Sequence, residues 1–477
     1  MFSEGLRNRR SALLAGWLLT VVLLLTVTTS ILGTNAFSEP INEFDDIRYE
    51  DISDHNLSYR PELIATLTFN QETVWPEPDK MPTGIDPNKL MADAMNPGLG
   101  VRQLHQQGIT GVGVNVAIID QPIYLDHPEY AGKIAAYYDT GCSGPPSSMH
   151  GPAVVSLLVG TNCGTAPNAQ VYYAAAPSWE MDASYYVEAL DWIIEQNKFL
   201  TEAEKIRVVS VSAVPSQPSW ANGEMWTGAI ARAEAVGIVV LDCSDDFGFI
   251  GPCWYDASDP ENIARCTPGF PGKPPWFDPG GILVPSSPRT TAQHEDSNGR
   301  FSYIYWGRGG LSWSIPYCAG VLAMGWQIRP KLTGEQMRDL LFHSAYINSD
   351  GARIINPKGF IGLVVGSVEP SVTPPTGPLF IEVSASATQL CRPDYSHKLD
   401  VSWKVTGGTP PYDVTIEITG PDGATKIHGV DALEGTRKFD LAYPGGGAVS
   451  VDARAKDSSG SSASAMAGVS LSPCKCK

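Results

Sequence analysis

The sequence predicts an α/β domain, with a parallel sheet between two layers of helices, followed by an all-β sandwich. Two patterns support this prediction. Short β-branched apolar runs alternate with helical patterns between residues 98 and 347, and apolar and polar residues alternate after residue 379. The 477 residues suffice for both domains, and 43% of them are hydrophobic. The formal net charge of −18 argues against nucleic acid as a partner.

The amino terminus predicts export. Arginines precede an apolar run over residues 12–33, which is the charge order of a segment that enters the export pathway. Small residues at 34–36 suit a signal peptidase, but the run is also long enough to span a bilayer. Residues 1–36 are therefore either a cleaved signal or a retained membrane anchor, and the protein is expected outside the cell or at its surface.

Residues 37–97 are acidic and rich in proline, which predicts a mostly extended segment. The apolar run at 64–69 is its one expected strand. A pro-segment is the alternative, although the segment lacks the pattern of a compact inhibitory domain.

The first predicted strand of the α/β domain covers residues 114–119 and is apolar throughout most of its length, as expected for a strand buried on both faces. It ends at Asp120. Open α/β sheets place their chemistry at the carboxyl ends of such strands. The alternative is an aspartate that only forms the turn before Gln121 and Pro122.

A histidine precedes the first long helix of this domain. Gly151 and Pro152 begin the helix and Gly160 ends it, which places His150 at its amino terminus. His127 is the competing candidate, and it is expected to stay in a polar turn.

Further strands and helices then alternate, and loops are expected over residues 248–300. Strands are predicted at 169–176, 207–212 and 237–243, and helices at 183–199 and 225–235. A capping box at 333–336 opens a last helix.

Ser312 lies between two glycines, at 309 and 310, and an apolar helix over residues 317–326. Free N–H groups and the helix dipole favour negative charge at such a position. This suits a nucleophile whose attack creates an oxyanion, whereas the alternative is a plain N-cap serine.

The carboxy-terminal part, residues 379–477, predicts an immunoglobulin-like sandwich of about seven strands. The Pro-, Ser- and Thr-rich stretch at 368–378 predicts a semi-rigid linker before it.

Asp120, His150 and Ser312 occur in the chain order of the subtilisin triad. The sequence around each of them is also similar to the corresponding subtilisin box. The chain therefore resembles the subtilisin-like serine peptidases over residues 100–347, which implies a peptidase domain over residues 98–367. The boxes are Val116–Asp120, His150–Gly151 with Ala166, Pro167 and Ala169, and Gly310–Pro316 with Ala319 and Gly320.

The resemblance implies an endopeptidase with a polypeptide substrate. Ser312 would attack the scissile carbonyl, His150 would accept its proton, and Asp120 would orient the imidazole and stabilise its charged form. The Ser312 backbone N–H would be one oxyanion donor. The strand with Ser210, Ser212, Ala213 and Val214 would pair with extended substrate, and residues 212–214 would line the specificity pocket.

The expected oxyanion-hole asparagine is replaced by Asp246. An ionised carboxylate accepts hydrogen bonds and repels an oxyanion, so activity requires either a protonated Asp246 or another donor such as Ser244. The alternative function is a catalytically impaired pseudopeptidase that acts as a surface binding or structural protein.

The nine cysteines show no metal-ligand spacing. We expect disulfides between Cys253 and Cys266 and between Cys142 and Cys163, and a third from Cys391 to Cys474 or Cys476. Cys243 and Cys318 are expected to be buried apolar residues. No cofactor is expected; structural calcium is common among subtilisins, but no ligand spacing for it is recognisable.

Overall fold

The structure is a computed structural model that describes ten stretches of the chain. These are residues 40–142, 149–244, 250–256, 258–295, 301–367, 378–390, 396–408, 412–430, 434–457 and 459–474. The predicted signal or anchor at 1–36 and most of the predicted linker lie outside them. Within the described stretches, no helix combines the length and the apolar composition needed to cross a bilayer.

The amino-terminal segment is folded, so the expectation of an extended linker is wrong for residues 40–97. It contains α1 (Pro61–Ile64), β1 (Thr68–Asn70) and α2 (Pro87–Asp93). Its apolar side chains form a cluster of their own, which includes Leu63 and Phe69 and is completed by Tyr305 from far along the chain. A local reading missed this core because part of it is supplied by a distant strand.

The central sheet confirms the predicted α/β fold class. Its five strands lie in the order β3-β4-β2-β5-β6 and all their pairings are parallel. This part of the chain contains α3 (Val101–Gln106), β2 (Asn115–Asp120), β3 (Ile134–Asp139), α4 (His150–Val159), β4 (Gln170–Ala175), α5 (Ala183–Phe199), β5 (Val208–Val211), α6 (Gly223–Glu234) and β6 (Val239–Leu241).

Both faces of the sheet are covered, as the apolar run before Asp120 predicts. Val116 and Ile118 face a core that contains α4. Ala117 and Ile119 face the other core, with α5 and α6. Successive side chains of a strand point to opposite faces, so each face of β2 is buried by a different layer of helices.

Residues 248–300 contain strands where loops were expected. The elements that follow β6 are β7 (Ile250–Trp254), β8 (Thr267–Pro268), β9 (Ile282–Ser287), β10 (Arg289–Glu295), β11 (Phe301–Trp306), α7 (Ser314–Ile328), α8 (Gly334–His343), β12 (Tyr346–Ile347), β13 (Arg353–Ile354) and α9 (Pro357–Gly366). They add two sheets, β12-β13-β9-β7-β8 and β1-β11-β10. Every residue of β9 is buried, so packing determines these strands despite the surrounding Gly and Pro.

The carboxy-terminal sandwich is present as predicted. Its strands are β14 (Phe380–Gln389), β15 (His397–Thr406), β16 (Tyr412–Thr419), β17 (Thr425–Val430), β18 (Glu434–Leu441), β19 (Gly447–Asp457) and β20 (Ser462–Leu471). They form the antiparallel sheets β14-β15-β18 and β17-β16-β19-β20. Leu399, Val401, Ile416 and Val451 are fully buried between them.

Candidate active site

Asp120 and His150 meet at the carboxyl edge of the central sheet. Asp120 ends β2 with 3% of its surface exposed, and His150 is the first residue of α4. The Nδ1 atom of His150 lies 2.7 Å from Oδ1 of Asp120. The backbone N–H of Gln121 donates to the same oxygen at 2.8 Å. The carboxylate is thereby fixed and accepts the Nδ1 proton, which leaves Nε2 of the imidazole free to accept a proton.

Gly151 permits this approach of helix to strand. A Cβ atom at this position would collide with the carbonyl oxygen of Gln121, which is main chain and cannot swing away. Tyr173 closes the same space, and its hydroxyl hydrogen-bonds that carbonyl. The glycine therefore sets how closely His150 can lie to Asp120.

The pKa of His150 is raised above its usual 6.5. Burial lowers the pKa, but the charge of Asp120 and its hydrogen bond to the ring raise it more. Such a histidine is a better proton acceptor, and it is neutral only above its raised pKa.

Ser312 lies in the short turn that leads into α7, at the same edge. Its hydroxyl donates to the carbonyl oxygen of Ser212 at 3.4 Å, and the Ser212 hydroxyl donates to the Ser312 carbonyl at 2.9 Å. The next residue, Trp313, has its ring centroid 5.3 Å from that of His150. The structure thus brings the three predicted residues to one edge of the sheet. The hydrogen bond between Asp120 and His150 is formed, whereas the Ser312 hydroxyl hydrogen-bonds the Ser212 carbonyl and not His150.

The predicted oxyanion position, Asp246, lies outside the described residues. The proposed substitute donor, Ser244, is described, and its hydroxyl hydrogen-bonds the carboxylate of Asp242. That carboxylate also accepts the indole N–H of Trp226 at 2.8 Å. The Ser244 hydroxyl is therefore committed to Asp242 in this structure.

The predicted substrate strand is only partly accessible. Ser210 is 1% exposed and pairs with Ile118 on one side and Leu241 on the other, so its assignment as a substrate-binding residue is wrong. The sequence could not reveal this, because it depends on which strand lies beside β5. Ser212, Ala213 and Val214 continue past the end of β5 and are half-buried.

His127 takes no part in this arrangement, and its expected polar turn is wrong. The ring is fully buried and stacks on Tyr130, with centroids 5.2 Å apart. Its Nδ1 accepts the backbone N–H of Glu129 at 3.2 Å, which leaves Nε2 to donate to the Ser302 carbonyl at 3.2 Å. Burial lowers the pKa of His127, so the buried ring is neutral and structural.

A row of aromatic rings that sequence reasoning missed links the amino-terminal segment to this site. Trp313 lies 5.3 Å from Trp306 at the end of β11, measured between ring centroids. The guanidinium of Arg48 lies 5.0 Å above the Trp306 ring. In the sequence, only the two tryptophans on either side of Ser312 indicate these aromatic contacts. Nothing in the sequence around Arg48 predicts its contact with Trp306.

The two predicted disulfides within the peptidase-like domain are not formed. Cys142, Cys163, Cys253 and Cys266 are free thiols. Cys142 follows β3, and Cys163 follows the carboxyl end of α4. Cys253 lies in β7 and Cys266 directly precedes β8, which pairs with β7.

The remaining cysteines largely follow their expectations as far as the structure describes them. Cys318 is buried and burial raises the pKa of its thiol to about 12, whereas Cys243 is half-buried and packs against the core. Cys474 is disulfide-bonded. The predicted bonding partners of this region, Cys391 and Cys476, lie outside the described residues.

The ammonium group of Lys133 lies among oxygen atoms at the carboxyl end of α4. Lys133 donates to the carbonyls of Glu129 and Val159 at 3.1 and 2.7 Å, and to the Thr161 hydroxyl at 2.9 Å. All three of its protons are used, and Val159 is the last residue of α4, where a cation is favoured. In the described part of the chain, no group of three His, Cys, Asp or Glu residues is arranged to hold a metal ion.

Comparison with known proteins yields relatives over about half of the chain. Subtilisin-like protease PopC of Myxococcus xanthus is 26% identical over 281 residues, covering 52% of this chain and 58% of that protein. Subtilisin E of Bacillus subtilis is 26% identical over 255 residues, covering 51% and 63%. Subtilisin of Bacillus pumilus is 26% identical over 270 residues, covering 53% of this chain and 92% of that protein. No family model matches the sequence.

The matching solved structures include a subtilisin-related enzyme and a subtilase cytotoxin, each at low sequence identity. Fervidolysin from Fervidobacterium pennivorans, a keratinolytic enzyme related to subtilisin, covers 77% of this chain and 55% of its own, with 14% identity and a TM-score of 0.45. The structure of subtilase cytotoxin SubAB covers 57% of this chain and 95% of its own, with 17% identity and a TM-score of 0.42. The curated relatives show that the predicted resemblance to subtilisin-like proteases is correct.

Proposed function

We propose that this chain, whose relatives over half its length are subtilisin-like proteases, is an exported serine endopeptidase that acts through Asp120, His150 and Ser312. The observation that carries the proposal is the 2.7 Å contact between Asp120 and Nδ1 of His150, beside Ser312 at the start of a buried helix. A carboxylate in this position fixes the imidazole tautomer whose Nε2 can accept a proton.

In the proposed reaction the Ser312 oxygen attacks the scissile carbonyl and its proton passes to Nε2 of His150. The imidazolium then gives that proton to the leaving amine, and the acyl group stays on Ser312 until water removes it. Asp120 stabilises the imidazolium formed in the first step. All of these groups belong to the chain itself, so the reaction needs no cofactor.

The first step requires a rotation of the Ser312 side chain. The hydroxyl leaves the Ser212 carbonyl, to which it makes a long contact of 3.4 Å, and turns to Nε2 of His150. Such contacts are often loose in an unliganded site and tighten when substrate binds. The freed Ser212 carbonyl then accepts an N–H of an extended substrate, as the predicted role of this strand requires.

Export and attachment form part of the same proposal. Residues 1–36 direct the chain across a membrane and either leave it or anchor it there, and the sandwich of residues 379–477 binds or spaces the peptidase domain at the cell surface. The polypeptide substrate is then met outside the cell.

Reaction with a fluorophosphonate tests the proposal. The expected result is one covalent adduct on Ser312, located by peptide mass spectrometry and absent from Ser312→Ala. His150→Ala is expected to label at a small fraction of the native rate. Thr333→Ala, which breaks a helix cap remote from the site, serves as the matched control and is expected to label normally.

The opposite result favours the alternative function. If Ser312 stays unlabelled at every pH at which the protein is folded, the chain is a pseudopeptidase and its role is binding. The resting contact between Ser312 and Ser212 is the observation that favours this alternative.

A further inference from the structure

We propose that Arg308 selects substrates with an acidic side chain on the leaving-group side of the scissile bond. This inference rests on the proposed peptidase activity and adds a substrate class to it. The structure supports it through the position of Arg308, through the absence of an ion partner for it among the described residues, and through the way the amino-terminal segment holds it.

Arg308 lies close to the candidate nucleophile. It is four residues before Ser312, so the two Cα atoms are at most about 14 Å apart. Gly309 packs directly against the ring of Trp313, where a Cβ would collide, and Trp313 in turn contacts His150. The backbone from 308 to 312 therefore follows the wall of the site.

The proposal places the leaving group of the substrate along this wall. Ser212, beyond the end of β5, contacts Ser312 on one side. β11, which leads to Ser312, belongs to the separate β1-β11-β10 sheet. In the proposal, the acyl part of the substrate pairs with the extension of β5, and the leaving group runs from Ser312 along residues 308–311 toward Arg308.

The guanidinium of Arg308 contacts a carbonyl oxygen and an aromatic ring. Its Nε donates to the carbonyl of Pro271 at 2.9 Å, and its guanidinium lies 3.9 Å from the ring centroid of Phe44. Among the described residues no carboxylate pairs with it. The side chain is half-buried, so its remaining N–H groups stay available to a ligand.

The other arginine near these aromatic rings, Arg48, differs from Arg308 because an ion pair neutralises its charge. Arg48 lies above Trp306, but it forms a two-pronged ion pair with Asp46, with contacts of 2.8 and 2.6 Å. Of these two arginines, Arg308 is therefore the one that has no ion partner within the described stretches. The net charge of −18 does not cancel the charge of Arg308, because charges more than about 10 Å away are largely screened at physiological salt.

The amino-terminal segment fixes where this charge points. Phe44 stacks on the guanidinium, and a Cβ at Gly272 would collide with the Phe44 ring and lie 2.8 Å from Nη2 of Arg308. A guanidinium held flat between a ring and a backbone keeps its planar fork in one orientation. That fork matches the two oxygens of a carboxylate.

The test compares internally quenched peptides that differ only in the two residues after the scissile bond, with Asp, Asn or Lys at each. We expect native enzyme to cleave the Asp peptide with a kcat/KM on the order of fivefold above that of the Asn peptide, the effect of one partly exposed ion pair. The Lys peptide is expected to be the poorest. Added salt should reduce the ratio.

Variants then assign the preference. Arg308→Gln is expected to bring the Asp/Asn ratio to about one, Arg308→Lys to retain part of it, and Phe44→Ala to weaken it by loosening the guanidinium. Arg207→Gln is the matched control with the same charge change, since Arg207 precedes β5 at the opposite edge of the sheet and should keep the native ratio.

An Asp/Asn ratio of one or less in native enzyme, or a ratio that Arg308→Gln and Phe44→Ala leave unchanged, overturns the assignment. These outcomes leave the proposed peptidase intact, because the peptides are still cleaved. If instead no peptide is cleaved and the fluorophosphonate leaves Ser312 unlabelled, the proposed function is refuted, and the substrate preference with it.

Discussion

Replacing Asp120 by Asn separates the effects that set the pKa of His150. Burial lowers this pKa, while the charge of Asp120 and its 2.7 Å hydrogen bond raise it, and the net effect is a rise above 6.5. Asp120→Asn removes the charge and leaves the burial. The pKa of His150 should then fall below its usual value, because the desolvation that disfavours imidazolium is no longer opposed.

The substitution should therefore lower the rate and move the acidic limb of the pH profile to lower pH. In a Ser-His-Asp triad the same substitution lowers kcat by about 10⁴-fold through the wrong tautomer, equivalent to about 5 kcal/mol of transition-state stabilisation. Activity requires neutral His150, so it is lost as pH falls through the His150 pKa. In native protein this loss occurs above pH 6.5, and in Asp120→Asn it should move to lower pH.

The assay is the rate of fluorophosphonate labelling of Ser312, followed against pH in both proteins. Asp139→Asn is the control: Asp139 ends the strand β3 in the same sheet and caps the turn at Gly141, so it makes the same charge change without touching His150. An acidic limb that stays in place in Asp120→Asn, or moves to higher pH, would refute the assignment of Asp120 as the group that raises the His150 pKa.

Three further perturbations test other parts of the arrangement. Gly151→Ala should lower the labelling rate by at least about 10²-fold, because the new Cβ collides with the Gln121 carbonyl and a shift of a catalytic group by about 1 Å has that effect. Normal labelling with an unchanged melting temperature would contradict this. Lys133→Ala should lower the free energy of unfolding in urea by about 1–3 kcal/mol, because the carbonyl of Val159 loses its donor. Lys273→Ala, at an exposed position, is the control. The pKa of His127 is lowered in the folded protein, so its contribution to stability is present above pH 6.5 and is lost as pH falls through the folded-state value. His127→Gln should therefore flatten the decline of the free energy of unfolding below pH 6.5. An equal slope in both proteins would show that His127 does not titrate on unfolding.

The predictions that the structure bears out are those that depend only on residues close together in the sequence. An apolar strand that ends at Asp120 and a helix that begins at His150 are both visible in short stretches of sequence. The order of parallel strands then brings their ends to one edge, so the Asp120–His150 contact follows from elements that can be predicted separately.

The predictions that are wrong depend on neighbours that the sequence does not specify. Ser210 lies in a predicted strand, but its burial comes from pairing with both β2 and β6. Cys142 and Cys163 flank one helix in sequence, yet both are free thiols in the structure. His127 sits in a stretch that looks like a polar turn, and its aromatic surroundings come partly from the distant strand β11.

The amino-terminal segment shows how such distant packing bears on function. β1 pairs with β11 over Thr68–Asn70 and residues 304–306, and Phe69 stacks on Tyr305 with centroids 4.7 Å apart. Removal of the segment would expose this edge of β11 together with an apolar cluster that includes Leu63 and Ile64. Each such side chain contributes about 1.5–3 kcal/mol on burial, against a total stability of about 5–15 kcal/mol for a typical domain. Because β11 ends at Trp306, shortly before Ser312, we expect that loss of residues 40–97 would destabilise the part of the chain that leads to the nucleophile.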